Sequence, residues 1–121
     1  MNNIEGLKPF ILALAAALVL KLFVFDFIIA DGHSMEPVIY DGQVLVIGRL
    51  SYGLRRPKAG EVVIFYTPNG DVAVKRISEV TNCAEDGFKF FAVGDNEVSS
   101  YDSRAYGFVD INSIIGKVLG Y

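Results

Sequence analysis

The sequence predicts a mainly β protein: an N-terminal transmembrane helix followed by a small, mostly antiparallel β-domain. Three observations carry this. Residues 9–20 are continuously apolar and rich in Ala and Leu. Beyond residue 26 the apolar positions turn β-branched and aromatic and fall into short runs. Those runs are separated by turn signals, among them Asp41-Gly42, Asn69-Gly70 and Gly94-Asp95-Asn96.

The chain has 121 residues and a formal net charge of −3. That is room for one modest domain once an anchor of about 25 residues is set aside. No long basic run or stripe is present, which argues against a phosphate-driven nucleic-acid surface. The single cysteine, Cys83, excludes a disulfide within the chain and argues against a structural zinc site. It leaves the redox compartment open.

Residues 1–8 form a short polar lead. Pro9 suits a first helical turn, and a helix over residues 9–25 would be about 25 Å long. Lys21 can be accommodated near one interface by snorkelling. Three readings compete for this segment. A cleavable signal peptide needs a small residue at the cleavage site, where Ile28-Ile29-Ala30 places a large one. A buried helix, apolar all round, needs more protein around it than this chain supplies. A retained membrane anchor over residues 1–26 is the reading adopted. Glu5 and Lys8 nearly cancel, so charge leaves its orientation open.

Residues 27–121 form the expected β-domain. Strands are expected over residues 27–30, 43–47, 61–67, 72–80 and 88–93, with short closing strands over 108–109 and 114–118. Residues 51–59 read as a loop with a small basic cluster, Arg55, Arg56 and Lys58. Solvated loop and lipid head-group contact are its two readings. Asn69-Gly70 signals a hairpin. As a two-residue turn it would set Ile64 opposite Lys75, with Ala73 and Ile77 on the lysine's face.

The stretch that carries chemistry is Gly32-His33-Ser34-Met35-Glu36-Pro37, together with Lys75. Ser34 is a candidate nucleophile and needs a base. The only histidine, His33, is its direct neighbour, and adjacent side chains in an extended chain point to opposite faces. Lys75 lies in the apolar run Val72-Ala73-Val74-Lys75-Arg76-Ile77. Apolar surroundings lower a lysine pKa by desolvating its charged form, which is what a lysine base requires. A Ser/Lys hydrolase follows, with no metal or cofactor.

Read in order, these motifs resemble type I signal peptidases, membrane-bound Ser/Lys proteases that remove signal peptides from exported preproteins. The resemblance runs through Gly32 to Pro37, Asp41-Gly42-Gln43-Val44-Leu45-Val46 and Gly60-Glu61-Val62-Val63-Ile64-Phe65. It continues through Val74-Lys75-Arg76-Ile77, Gly94-Asp95-Asn96, Ser100, Asp102-Ser103-Arg104, Gly107-Phe108-Val109 and Ile115-Gly116-Lys117. It implies a β-domain of the kind shared with self-cleaving repressors. It implies Ser34 as nucleophile, Lys75 as general base, Ser100 orienting the lysine, and Asp102 with Arg104 as a supporting ion pair. Ile28, Ala30, Gly32, Met35 and Ile39 on one side, with Ala73 and Val74 on the other, would wall a cleft for small residues before the scissile bond. The Ser34 N–H would hold the oxyanion. Gly32 stands where some members add a serine hydroxyl as second donor.

The resemblance further implies signal peptides and the lipid bilayer as partners, and a single-pass plasma-membrane protein with its catalytic domain outside the cytoplasm. A monomer in the membrane is expected. Val38, Glu61 and Glu97 depart from the commoner Thr, Asp and Arg, and the stretch from Lys75 to Gly94 is short, as in a minimal catalytic core. A peptidase dedicated to one exported substrate fits equally. Self-cleaving repressors cut an Ala-Gly bond upstream of the serine, whereas Ala59-Gly60 here lies downstream. A membrane-anchored β-module that binds extended peptides without cutting them is the non-enzymatic alternative.

Overall fold

The computed structural model describes residues 3–121; the first two residues of the expected anchor lie outside it. The architecture is one long helix followed by one seven-stranded, wholly antiparallel sheet with strand order β1-β2-β7-β3-β4-β5-β6. Helix α1 spans Ile4–Phe23. It starts a turn earlier than the expected 9–25, so Pro9 sits inside it rather than in its first turn. Every residue from 3 to 21 is exposed, including Phe10, Ile11, Leu12 and Leu14. Among the described residues no helix is both long and apolar enough to cross a membrane.

The strands are β1 (Phe25–Ile29), β2 (Val44–Gly48), β3 (Val62–Tyr66), β4 (Val72–Cys83), β5 (Gly87–Val93), β6 (Val109–Asp110) and β7 (Ile114–Gly120). β1 therefore begins inside the stretch assigned to the anchor. The loop expected over residues 51–59 opens with a short helix α2 (Ser51–Leu54), and the irregular stretch before β6 contains α3 (Ser103–Tyr106). β4 runs past residue 80 to Cys83, because the turn to β5 is tight, with Asp86 N–H donating to the Cys83 carbonyl at 3.1 Å and Gly87 at φ 77°.

Period-two alternation on β3 explains how the sheet is covered on both faces. Val62 and Ile64 join Met35, Ile39, Leu45, Ile47 and Val118 in one core cluster. Val63 and Phe65 join Ile77, Phe90, Ala92 and Val109 in the other. There the Phe65 and Phe90 rings meet edge to face, 5.1 Å between centroids.

The β3–β4 hairpin differs from expectation by one residue. Val63, not Ile64, lies opposite Lys75. Gly70 N–H donates to the Thr67 carbonyl at 2.9 Å, and Thr67 N–H to the Asp71 carbonyl at 2.8 Å. Pro68 favours the second position of such a turn, and Gly70, at φ 87°, supplies the left-handed residue after it. The loop thus holds three residues, not two.

Candidate active site

Ser34 enters the site on a turn fixed from beneath. Gly32, at φ 94°, reverses the chain, and its N–H donates to Asp41 Oδ1 at 2.9 Å. After Ser34 the chain makes a helical turn, with Ile39 N–H donating to the Met35 carbonyl at 2.9 Å. That spacing drives Met35 and Ile39 into the same core cluster. Their burial holds the turn down and leaves Ser34 at its edge.

Lys75 comes from the middle of β4 and is only 6% exposed. Its Nζ lies 2.7 Å from Ser34 Oγ. Among the described residues this is the ammonium's one hydrogen-bond partner. Burial pushes the Lys75 amine below the ordinary lysine range; the Asp102 charge opposes this and the Arg104 charge adds to it. Ser34 N–H has no hydrogen-bond acceptor among the described residues and is free to meet an oxyanion.

Asp102 is the structural hub beside this pair. It is 1% exposed. Its Oδ2 accepts from Ser100 Oγ at 2.5 Å, Gly94 N–H at 2.8 Å and Arg104 Nη2 at 2.6 Å, and its Oδ1 accepts from Arg104 Nε at 3.0 Å. Desolvation works to raise this carboxyl, but the bonds from Arg104, Ser100 and the Gly94 N–H outweigh it and hold it well below the usual carboxylate range. The Ser100 hydroxyl is thus committed to Asp102 and makes no hydrogen bond to Lys75. Asp102 also caps α3, and Ser103 Oγ accepts from Ala92 N–H at 2.9 Å, pinning α3 to β5.

The sheet curls so that β1, at one edge, and β4, fifth in order, border one cleft of about 370 Å³. Ser34 and Lys75 line it, and so do Ile28, Ala30, Gly32, Met35, Ile39, Ala73 and Val74. Ser100, Asp102 and Arg104 stand behind the lysine rather than in the cleft wall. His33 is an exposed neighbour whose Nδ1 lies 2.7 Å from Glu36 Oε1; that hydrogen bond raises its pKa.

Three participants escape a reading of the sequence. Asn96 N–H donates to the Ser34 carbonyl at 2.8 Å, and its side-chain amide donates to the His33 carbonyl at 3.1 Å. Gly94 lies so close that an added Cβ would stand 2.6 Å from the Ser34 carbonyl oxygen and 2.2 Å from Ser100 Oγ. Arg76 grips Asp95 through two bonds of 2.9 Å and the Gly60 carbonyl through a third of 2.8 Å. The Gly-Asp-Asn turn signals a change of direction. Its spacing says nothing of the distant partners it meets.

The sequence model of the family described as "Signal peptidase, peptidase S26" matches residues 3–81 and 83–120. The chain is 26% identical to signal peptidase I of Bacillus caldolyticus, over 91% of this chain and 86% of that protein. It is 26% identical to the probable signal peptidase I-1 of Synechocystis sp., over 95% and 80%, and 25% identical to signal peptidase IB of Staphylococcus aureus, over 94% and 88%. These alignments run over 156, 157 and 169 positions, more than the 121 residues here, so each relative carries segments with no counterpart in this chain. The chain belongs to the signal peptidase family, peptidase S26.

Proposed function

We propose that this chain removes signal peptides from exported preproteins by acyl transfer, with Ser34 as nucleophile and Lys75 as general base. Family membership makes it a serine endopeptidase of the signal-peptide-removing kind. The observation that carries the residue assignment is the 2.7 Å separation of Lys75 Nζ and Ser34 Oγ at a buried lysine. When Lys75 is neutral, the Ser34 hydroxyl donates to Nζ and the proton can pass as Oγ attacks the carbonyl carbon. The Ser34 N–H meets the developing oxyanion. The leaving amine takes the proton from Lys75, and the neutral lysine then activates a water to hydrolyse the ester.

Asp102 fits the role of a positioning residue. It fixes Ser100, Gly94 and Arg104 together, and its charge bears on Lys75. Substrate binds between β1 and β4. β1 is an edge strand with one side unpaired, so an extended peptide can add to it. Ala30, Gly32 and Ala73 leave shallow room for small side chains, and Ile28, Met35, Ile39 and Val74 make the pockets apolar. Cleavage after an Ala-x-Ala sequence is the expected specificity. One chain supplies the whole cleft, consistent with a monomer.

Residues 1–26 act as a single-pass anchor that sets the peptidase domain, residues 27–121, against the outer face of the plasma membrane. The support is apolar exposure. α1 presents Phe10, Ile11, Leu12, Leu14 and Leu18 to its surroundings, and Phe25, Phe27 and Ile29 continue the exposed apolar surface along β1. α1 is about 30 Å long at 20 residues, close to the thickness of the hydrocarbon core, but its uninterrupted apolar run covers only residues 9–20, so the anchor reading requires Lys8 and Lys21 to snorkel to the interfaces.

The test incubates the detergent-solubilised protein with an Ala-x-Ala precursor, beside Ser34→Ala and Lys75→Ala variants. Wild type alone should cleave, after the small residue. Equal cleavage by all three would refute the dyad.

A further inference from the structure

Among the described residues a further cleft shares no lining residue with the catalytic one. It measures about 390 Å³ and is bordered by Arg49, Tyr52, Arg56, Phe88 and Asn112, with Ile114 on the apolar side. No Asp or Glu lines it. This is unusual for a chain of net charge −3, and it follows from local sequence: residues 49–58 hold four of the 11 Lys and Arg residues (Arg49, Arg55, Arg56, Lys58) and no acid.

The cleft arginines, Arg49 and Arg56, differ from the neighbouring Arg55, which lies outside the lining. Arg55 is taken up by Glu61, but Arg56 has no carboxylate partner among the described residues. Its guanidinium lies 3.8 Å over the Phe88 ring, which immobilises the group by its face and leaves its edge donors free. Arg49 pairs with Asp26, leaving part of its donor fork open. Arg49 N–H donates to the carbonyl of Val24, the residue that caps α1, at 2.8 Å. The basic cleft therefore opens at the root of the apolar helix, at head-group level if α1 lies in the bilayer.

We propose that the cleft between Arg49 and Arg56 binds the phosphodiester of an anionic membrane lipid of the phosphatidylglycerol type. This rests on the anchor reading of α1. Guanidinium donors match phosphate oxygens, and Asn112 can serve the glycerol hydroxyls. Phe88 and Ile114 receive the apolar start of the lipid. No carboxylate lines the cleft and the adjacent Asp26 is already engaged by Arg49, which disfavours the ammonium of a zwitterionic head group, so anionic lipid is preferred. Such a contact would fix the rotation of the peptidase domain about its anchor and so present the catalytic cleft to the membrane surface.

The experiment titrates delipidated, detergent-solubilised full chain with short-chain phosphatidylglycerol, short-chain phosphatidylcholine and inorganic phosphate. Bound lipid is counted by native mass spectrometry. Wild type should retain one phosphatidylglycerol about five- to tenfold more tightly than phosphatidylcholine. Arg56→Gln should abolish that preference. Lys58→Gln, the same charge change outside the cleft lining, should leave it intact. Circular-dichroism melting of both variants checks that they fold. Equal retention of the two lipids, or equal loss in both variants, would overturn the proposal. Displacement by inorganic phosphate as effective as by the lipid would make this a free-phosphate site and overturn the lipid assignment. Alkaline-carbonate extraction of wild-type membranes reads the anchor separately: a chain that resists extraction yet shows no lipid preference refutes the cleft alone, and a chain released by carbonate refutes the anchor.

Discussion

Asn96 holds the turn that carries Ser34: its backbone N–H donates to the Ser34 carbonyl at 2.8 Å, while its side-chain amide donates to the His33 carbonyl at 3.1 Å. The two bonds fix the peptide units on either side of the Ser34 Cα. They constrain both the direction of Oγ and that of the Ser34 N–H. Arg76 in turn anchors the neighbouring Asp95 to β4, the strand that bears Lys75. Ser34 and Lys75 are thus registered to each other through residues 94–96.

Asn96→Ala removes the side-chain bond and keeps the backbone bond. Small losses of alignment are costly to reactions that depend on near-attack geometry. The expected result is a fall of about tenfold in kcat with KM within about twofold, and a stability loss near 1 kcal/mol. Steady-state kinetics on an Ala-x-Ala precursor checks it. An unchanged kcat would show that the backbone bond alone positions the turn.

Gly94→Ala tests the close packing behind the site. The added methyl would overlap the Ser100 side chain at 2.2 and 2.6 Å and the Ser34 carbonyl oxygen at 2.6 Å. Relief requires movement of the turn that carries Ser34. The variant should lose roughly 1–3 kcal/mol of stability, together with most of its activity. Adding Ser100→Gly removes the side-chain overlaps but not the one with the Ser34 carbonyl, so rescue of stability should be partial. Urea denaturation of the single and double variants measures both effects, and a Gly94→Ala protein as stable as wild type contradicts the packing argument.

Two carboxylates should dominate acid stability. Glu61 accepts from Arg55, Lys117 and the Lys58 N–H. The Arg55 bonds lead in holding its pKa down at about 2, against desolvation. Asp102 is likewise held below its ordinary range. A carboxyl depressed on folding adds stability above its unfolded pKa, and that stability is lost as pH falls towards the folded value. Wild type should therefore lose stability steeply from about pH 5 down to about pH 2. Glu61→Gln should cost roughly 2 kcal/mol at neutral pH and flatten that slope. Asp102→Asn should cost at least as much, because it sets an amide N–H against the donors of Arg104 and Gly94. Denaturation midpoints measured across this pH range decide it. A Glu61→Gln protein with the wild-type slope would show that its ion pairs add nothing to folding.

Local signals made the strands legible. β-branched and aromatic runs bounded by Gly, Asn and Asp locate all seven within a few residues. The register of β3 on β4 was less legible, because Asn69-Gly70 fits a two-residue turn and only the preceding Pro68 hints at three. A partner choice was hidden too. The Ser100 hydroxyl can reach a lysine or a carboxylate, and spacing in sequence does not decide between them; in the fold it meets Asp102. Asn96, Gly94 and Arg76 looked like turn and strand residues because each acts on a partner distant in sequence. The basic cluster Arg55, Arg56 and Lys58 was visible, but not that Arg49 would join Arg56 at one cleft or that Phe88, more than thirty residues on, would lie beneath Arg56.

The proposed mechanism requires Lys75 to be neutral. The most direct measurement is kcat/KM on an Ala-x-Ala precursor from about pH 6 to about pH 10, under conditions where chemistry limits the rate. Burial lowers the Lys75 pKa, so the account predicts a rate that rises with unit slope as pH increases and levels off below the ordinary lysine pKa of about 10.4. A rate that stays flat across the whole range would contradict Lys75 as the titrating base.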